Sequence, residues 1–167
     1  MSGPVARAYS ELVEAGELKP DPAQERGAAA LDRLAASIGA GGFFTRLFGS
    51  RGEGPAGVYL WGGVGRGKSM LMDLAFAHIA VTPRRRVHFD EFMLETHARL
   101  REAREREEGD PIEPVAEDIA AEARLLCFDE MQVNNPADAM ILSRLFGKLL
   151  EHGVKIVTTS NRCPSDL

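Results

Sequence analysis

Only two of the 167 residues are cysteine, and aromatic residues make up just 7% of the chain. Two thiols at positions 127 and 163, one inside an apolar run and one near the C-terminus, have no spacing that suggests a disulfide framework or a zinc site. There is no surplus of positive charge either: the formal net charge is -5, so a general attraction to nucleic acid or anionic lipid is absent. No apolar run reaches membrane-spanning length, and no internal repeat is visible. The opening stretch "MSGPVARAYSELVEAGELKP" lacks a basic segment followed by an apolar one, the pattern of a secretory leader. These absences predict a cytoplasmic chain with both thiols reduced and no membrane span, and they disfavour nucleic acid as a partner. What remains, 44% hydrophobic and 27% charged, is an ordinary globular composition with enough chain for one core.

The apolar pattern changes period along the chain. From Ser10 to Ile38 it is helical, interrupted at Gly16 and Pro20, with Asp21 as N-cap and Pro22 as first helical residue of the second part. Residues 39–57 are glycine-rich and read as a linker, although Phe43, Phe44, Leu47 and Phe48 within it suit packing against a core. Thereafter strands alternate with helices. Residues 57–62, 85–92, 124–130 and 154–161 read as strands, and 68–80, 94–108, 113–123 and 135–153 as helices, the last with Asn135 as N-cap and Gly153 as stop. Such alternation predicts an α/β fold with a parallel sheet and right-handed crossovers. The charged run 99–108 reads as a solvated helix face with i,i+4 pairs such as Arg101 with Glu105. His78, His88, His97 and His152 show no metal-ligand spacing, and His78 is expected to pack on the helix that follows the glycine-rich loop.

The most informative stretch is "WGGVGRGKSM", residues 61–70, between the first predicted strand and a predicted helix. Gly62, Gly67, Lys68 and Ser69 satisfy G-x-x-x-x-G-K-[ST], the spacing of a phosphate-binding P-loop, or Walker A motif, in the context it requires. A loop that wraps a triphosphate needs backbone N–H groups converging at dihedrals that side chains often forbid, hence glycine. Gly62, Gly63, Val64, Gly65, Arg66, Gly67, Lys68, Ser69 and Met70 are therefore the expected phosphate cradle. Lys68 would bring charge to the β- and γ-phosphates, Ser69 an oxygen ligand for Mg²⁺, and the helix N-terminus its unpaired N–H groups.

"LLCFDE" supplies the second part, in the manner of a Walker B motif. A buried strand ending in Asp129 and Glu130 places both carboxylates at the sheet edge that carries the phosphate loop. Asp129 would hold Mg²⁺ through its water shell, and Glu130 would polarise an attacking water. "VKIVTTSNR" ends a further strand in Ser160, Asn161 and Arg162. Asn161 is placed to orient that water or touch the γ-phosphate; for Arg162 both a site-facing and a solvent-facing position stay open.

The blocks "GVYLWGGVGRGKSMLMDLAF", "RRVHFDEFM", "LLCFDEMQVNNPADAMILSRLF" and "GVKIVTTSNRCPSDL", in that order, resemble the ZapE family of bacterial cell-division ATPases and their mitochondrial relatives, a branch of the AAA+ superfamily. The resemblance runs from about Tyr9 to the last residue, with departures at Asp90, at Met131 and at residues 134–136. It implies an AAA+ P-loop fold, Mg-ATP hydrolysis, homo-oligomers in the full-length protein, and a division-ring partner in bacteria. It divides the chain into an N-terminal helical segment with glycine-rich linker, residues 1–56, and a partial AAA+ core, residues 57–167. It also implies that a fifth strand, an arginine reaching a neighbour's γ-phosphate and a helical lid would follow. Without them ATP hydrolysis by this stretch alone is expected to be slow. Two alternatives stay open: a small P-loop kinase, and a module that binds ATP in order to dock on a partner with little turnover.

Overall fold

The computed structural model describes residues 3–39, 57–63, 67–106 and 109–162. Within them four strands, β1 (Gly57–Trp61), β2 (Arg84–His88), β3 (Leu125–Asp129) and β4 (Lys155–Ser160), form one sheet in the order β1-β4-β3-β2. Every pairing is parallel, with Trp61 opposite Ser160, Phe128 opposite Thr158 and His88 opposite Asp129. All four carboxyl ends therefore lie along one edge. The linker 40–56, its Phe43, Phe44, Leu47 and Phe48, and Cys163 lie outside the described residues.

Among the described residues six helices cover the two faces: α1 (Pro4–Glu14), α2 (Pro22–Gly39), α3 (Lys68–His78), α4 (Phe89–Arg106), α5 (Ile112–Glu122) and α6 (Pro136–Glu151). On one face α1, α2 and α3 bury Val5, Tyr9, Leu31, Leu34, Met72 and Ala75 against Leu60, Leu125, Cys127 and Val157. On the other, α4, α5 and α6 bury Phe92, Leu100, Val115, Ile119, Leu145 and Leu149 against Val87, Leu126, Phe128 and Ile156. β3 is interior and covered on both sides, which is why four of its five residues, Leu125 to Phe128, are apolar without alternation. Phe128 is the hub of the second core, 4.5 Å from the Phe92 ring and stacked on Phe146 at 5.7 Å. Burial pushes the Cys127 thiol up to about 12, so it stays protonated and packs as a small apolar group.

Two boundaries and the burial of one side chain depart from the sequence reading. The strand expected over 85–92 stops at His88, and residues 89–92 begin α4. Phe89, Phe92, Met93, Thr96 and Leu100 recur at helical spacing and are all buried, so the second core captures them on one helix face. Helix α1 begins at Pro4, not near Ser10. Its N-terminal amides are capped from α2: Val5 N–H donates to Asp32 Oδ1 at 2.8 Å and Ala6 N–H to Oδ2 at 3.0 Å, a cap no local pattern reveals. His78, the last residue of α3, is exposed rather than packed. The expected caps at Asp21 and Asn135 are in place, accepting from Ala23 N–H and Ala137 N–H, each at 2.8 Å. On α4, among the described residues, Glu102 pairs with Arg106 at i,i+4 spacing.

Candidate nucleotide site

The first connection, through α3, crosses one face of the sheet, while α4, α5 and α6 return over the other. Chains leaving β1 and β3 thus diverge to opposite sides, with β4 between them. Open α/β sheets take ligands at such a divergence, beyond the carboxyl ends of the strands.

Gly62 and Gly63, the first residues of the phosphate-loop sequence, follow β1 at this edge. Gly62 N–H donates to Ser160 O at 3.3 Å, which ties the loop's start to the tip of β4. At its far end Gly67 has φ +80° and precedes α3 as N-cap. The left-handed backbone favours glycine there, and an added Cβ would sit 2.5 Å from Gln24 Nε2 on α2, so that flexible side chain would have to shift. The first helical bond is Leu71 N–H to Gly67 O at 3.0 Å. The amides of Ser69 and Met70 thus precede the first intrahelical bond and sit at the positive end of the α3 dipole. Lys68 Nζ donates to Gly62 O at 2.8 Å and Gly63 O at 2.7 Å, which sets the ammonium across the loop. Ser69 is exposed, and Met70 packs partly into the core on the α3 face. Val64, Gly65 and Arg66 lie outside the described residues.

At the end of β3 the two carboxylates meet different partners. Asp129 is half-buried and gripped by Arg86 of β2, Nε to Oδ2 at 2.7 Å and Nη2 to Oδ1 at 3.0 Å; Arg86 also pairs with Asp73 of α3. These carboxylates hold the guanidinium above its usual range. Glu130 is exposed, has φ +56°, and its Oε2 lies 2.9 Å from His88 Nε2. Asp90 N–H donates to His88 Nδ1 at 3.3 Å, so in neutral His88 the proton sits on Nε2 and is donated to Glu130. The Glu130 carboxylate raises the His88 pKa above its ordinary value. Asn161 is exposed directly after β4, and the backbone of Arg162 is fixed, its N–H donating to Ser160 Oγ at 3.1 Å and its carbonyl accepting from Tyr59 OH at 2.8 Å.

Lys68, Ser69, Asp129, Glu130 and Asn161, far apart in sequence, therefore share one edge. Four neighbours were not singled out from sequence: Asp73, Arg86, His88 and Thr159, whose hydroxyl accepts from Glu130 N–H at 3.0 Å. The signal for Arg86 and His88 lay in the strand period. Once β2 is placed beside β3, alternation sends Arg84 and Arg86 toward α3, and Arg85 to the opposite face, where it meets Glu95 of α4. The hydroxyl of Ser69 and the carboxylate of Asp129 are hard oxygen donors, the set Mg²⁺ prefers.

A family model described as AFG1-like ATPase matches residues 3–167. This chain belongs to that family. Among AFG1-like relatives, the Danio rerio Lactation elevated protein 1 homolog B is 46% identical over 127 residues, 71% of this chain and 25% of its own length. The Escherichia coli Cell division protein ZapE is 42% identical over 111 residues, 66% of this chain and 29% of its own. The chain thus spans between a quarter and a third of the length of these relatives. Solved structures share the fold. Domain III of the Thermotoga maritima replication initiation protein DnaA has a TM-score of 0.60 at 18% identity, covering 90% of this chain and 56% of that one. A DnaA bound to AMPPCP and single-stranded DNA has a TM-score of 0.60 at 16% identity, covering 91% and 42%. At such identities the likeness is one of fold. Among the described residues no helix is long and apolar enough to cross a membrane.

Proposed function

We propose that this AFG1-like chain carries the catalytic edge of a Mg²⁺-dependent ATPase that transfers the γ-phosphoryl group of ATP to water. The observation that carries the reading is the convergence of the Lys68 loop, Asp129, Glu130 and Asn161 on the carboxyl edge of one parallel sheet. The amides at the start of α3 and the Lys68 ammonium bind the β- and γ-phosphates, where negative charge is concentrated. Ser69 and Asp129 would hold Mg²⁺, which neutralises charge on the phosphate oxygens. Glu130 accepts a proton from water as its oxygen attacks the γ-phosphorus and the bond to the β–γ bridging oxygen breaks, releasing ADP and phosphate. The His88 N–H steadies that carboxylate, and the Asn161 amide orients the water or reads the γ-phosphate. Residues 57–167 form the nucleotide-binding core in this reading, with 1–56 as an N-terminal segment whose helices brace it.

For the longer protein we propose self-association in the cytoplasm and, by likeness to the bacterial relative, a link to the division machinery. Equilibrium binding of Mg-ATP, followed by single-turnover release of phosphate, tests the reading. Lys68→Ala is expected to weaken binding by about tenfold or more, and Glu130→Gln to bind normally while slowing release by about 10²-fold or more. Equal phosphate release from wild type and Glu130→Gln would refute the assignment of the base, and phosphate passing to an acceptor other than water would favour a kinase.

A further inference from the structure

Among the described residues Glu130 is the non-glycine residue with positive φ, +56°. L side chains adopt that conformation only where their surroundings hold it. The holder here is the neighbouring strand. Thr159 Oγ accepts from Glu130 N–H at 3.0 Å, and the Thr159 carbonyl accepts from Met131 N–H at 2.7 Å. One step on, Ser160 Oγ donates to Met131 O at 2.8 Å. A single buried residue of β4 thus receives two successive amides of the turn that leaves β3.

The turn has a directional consequence. Continued as a strand, Glu130 would face away from the side taken by Asp129. Instead its carboxylate reaches His88, which by strand alternation stands on the same side as Arg86, the partner of Asp129. The left-handed step after β3 is therefore what brings both carboxylates to one side of the sheet.

We infer that Thr159 is a positioning residue for Glu130: its hydroxyl and carbonyl together lock the turn that presents the general base. The inference rests on the hydrolytic reading for its catalytic meaning, but the lock is a structural statement in its own right. Adjacent Thr158 supplies an internal comparison. It is equally buried, pairs with Phe128, and its Oγ has no hydrogen-bond partner. A hydroxyl in the same strand with no turn to hold should be dispensable.

The test uses the full chain and four variants: Thr159→Val, which keeps the shape and loses the acceptor, Thr159→Ala, Thr159→Ser, which keeps the acceptor, and Thr158→Val. Amide hydrogen exchange at Glu130 and Met131 is read alongside kcat and KM for ATP. In Thr159→Val both amides should exchange about tenfold faster or more, with Cys127 and Phe128 unchanged, because losing the side-chain bond releases the whole turn. The same variant should lose about tenfold or more in kcat while KM moves by less than about threefold. Thr159→Ser should restore both readouts, and Thr158→Val should match wild type. If the valine chain does not fold, Thr159→Ala removes the same hydroxyl without adding bulk and carries the test. The inference is overturned if the Met131 amide stays protected without the Thr159 hydroxyl, or if serine fails as valine does. Should wild type release no phosphate at all, the hydrolytic reading falls, and the exchange data alone decide whether Thr159 holds Glu130.

Discussion

Arg86 grips both carboxylate oxygens of Asp129, at 2.7 and 3.0 Å, while its remaining nitrogen pairs with Asp73. One side chain from the sheet edge thereby ties β2 to β3 and to the helix that follows the phosphate loop. Planar, two-point contact of this kind belongs to arginine and not to lysine. Arg86→Ala would leave a half-buried carboxylate without its partner and is expected to cost about 1–3 kcal/mol. Arg86→Lys should recover only part of that. Urea unfolding of the three chains checks it, and a change below about 0.5 kcal/mol for the alanine would show that solvent already satisfies Asp129.

Two glycines should respond in opposite directions to alanine. At Gly67 the left-handed backbone alone costs about 1–2 kcal/mol for an L residue, and the new methyl meets Gln24. Gly147 lies in α6 with nothing within 4 Å of a built Cβ, so alanine there should add up to about 1 kcal/mol through helix propensity. Thermal melts decide the sign in each case. Gly67→Ala should also weaken Mg-ATP binding, whereas Gly147→Ala should leave it unchanged.

The carboxylate of Asp32 caps α1 from 27 residues away. Asp32→Ala removes two acceptors and the negative charge at that helix N-terminus, at an expected cost of about 1–2 kcal/mol. Amide exchange should rise most at Val5 and Ala6. Uniform loss of protection over the whole chain would mean instead that α1 is not a separable unit of stability.

Arg85 pairs with Glu95 through two hydrogen bonds of 2.7 and 2.6 Å, and the guanidinium holds the Glu95 carboxyl below its ordinary value of 4.5. A carboxyl depressed on folding contributes stability that is complete above its unfolded pKa and disappears as pH falls through the folded one. Stability should therefore drop below about pH 4.5, by no more than about 1 kcal/mol from this group because both partners are about one-third exposed to solvent. Glu95→Gln should remove that part of the acid dependence. An unchanged difference between pH 7 and pH 3 in the variant would assign the acid sensitivity to other carboxylates.

Much of the fold was legible because hydrophobic period and punctuation agree. β3 reads as interior from its unbroken apolar run, and α6 from Asn135, Pro136 and Gly153. The boundary after His88 was misread because Phe89 and Phe92 fit a strand as well as a helix until the second core selects the helical spacing. At the start of α1 the sequence carried only Pro4 as a signal, because the side-chain cap is contributed by Asp32 from α2.

By itself the sequence determined the alternation of strands and helices, the glycine spacing of the phosphate loop, and the carboxylates and amide at the ends of two strands. These are local properties, set by residue type and neighbours a few positions away. Only the tertiary structure decided how the strand ends are ordered, β1-β4-β3-β2, and so which side chains meet. That Arg86 faces Asp129, that His88 meets Glu130 and that Thr159 holds the turn between them all depend on strand register across 29 to 43 residues of chain. Register is fixed by burying both faces of the sheet at once, a condition that no single segment can express.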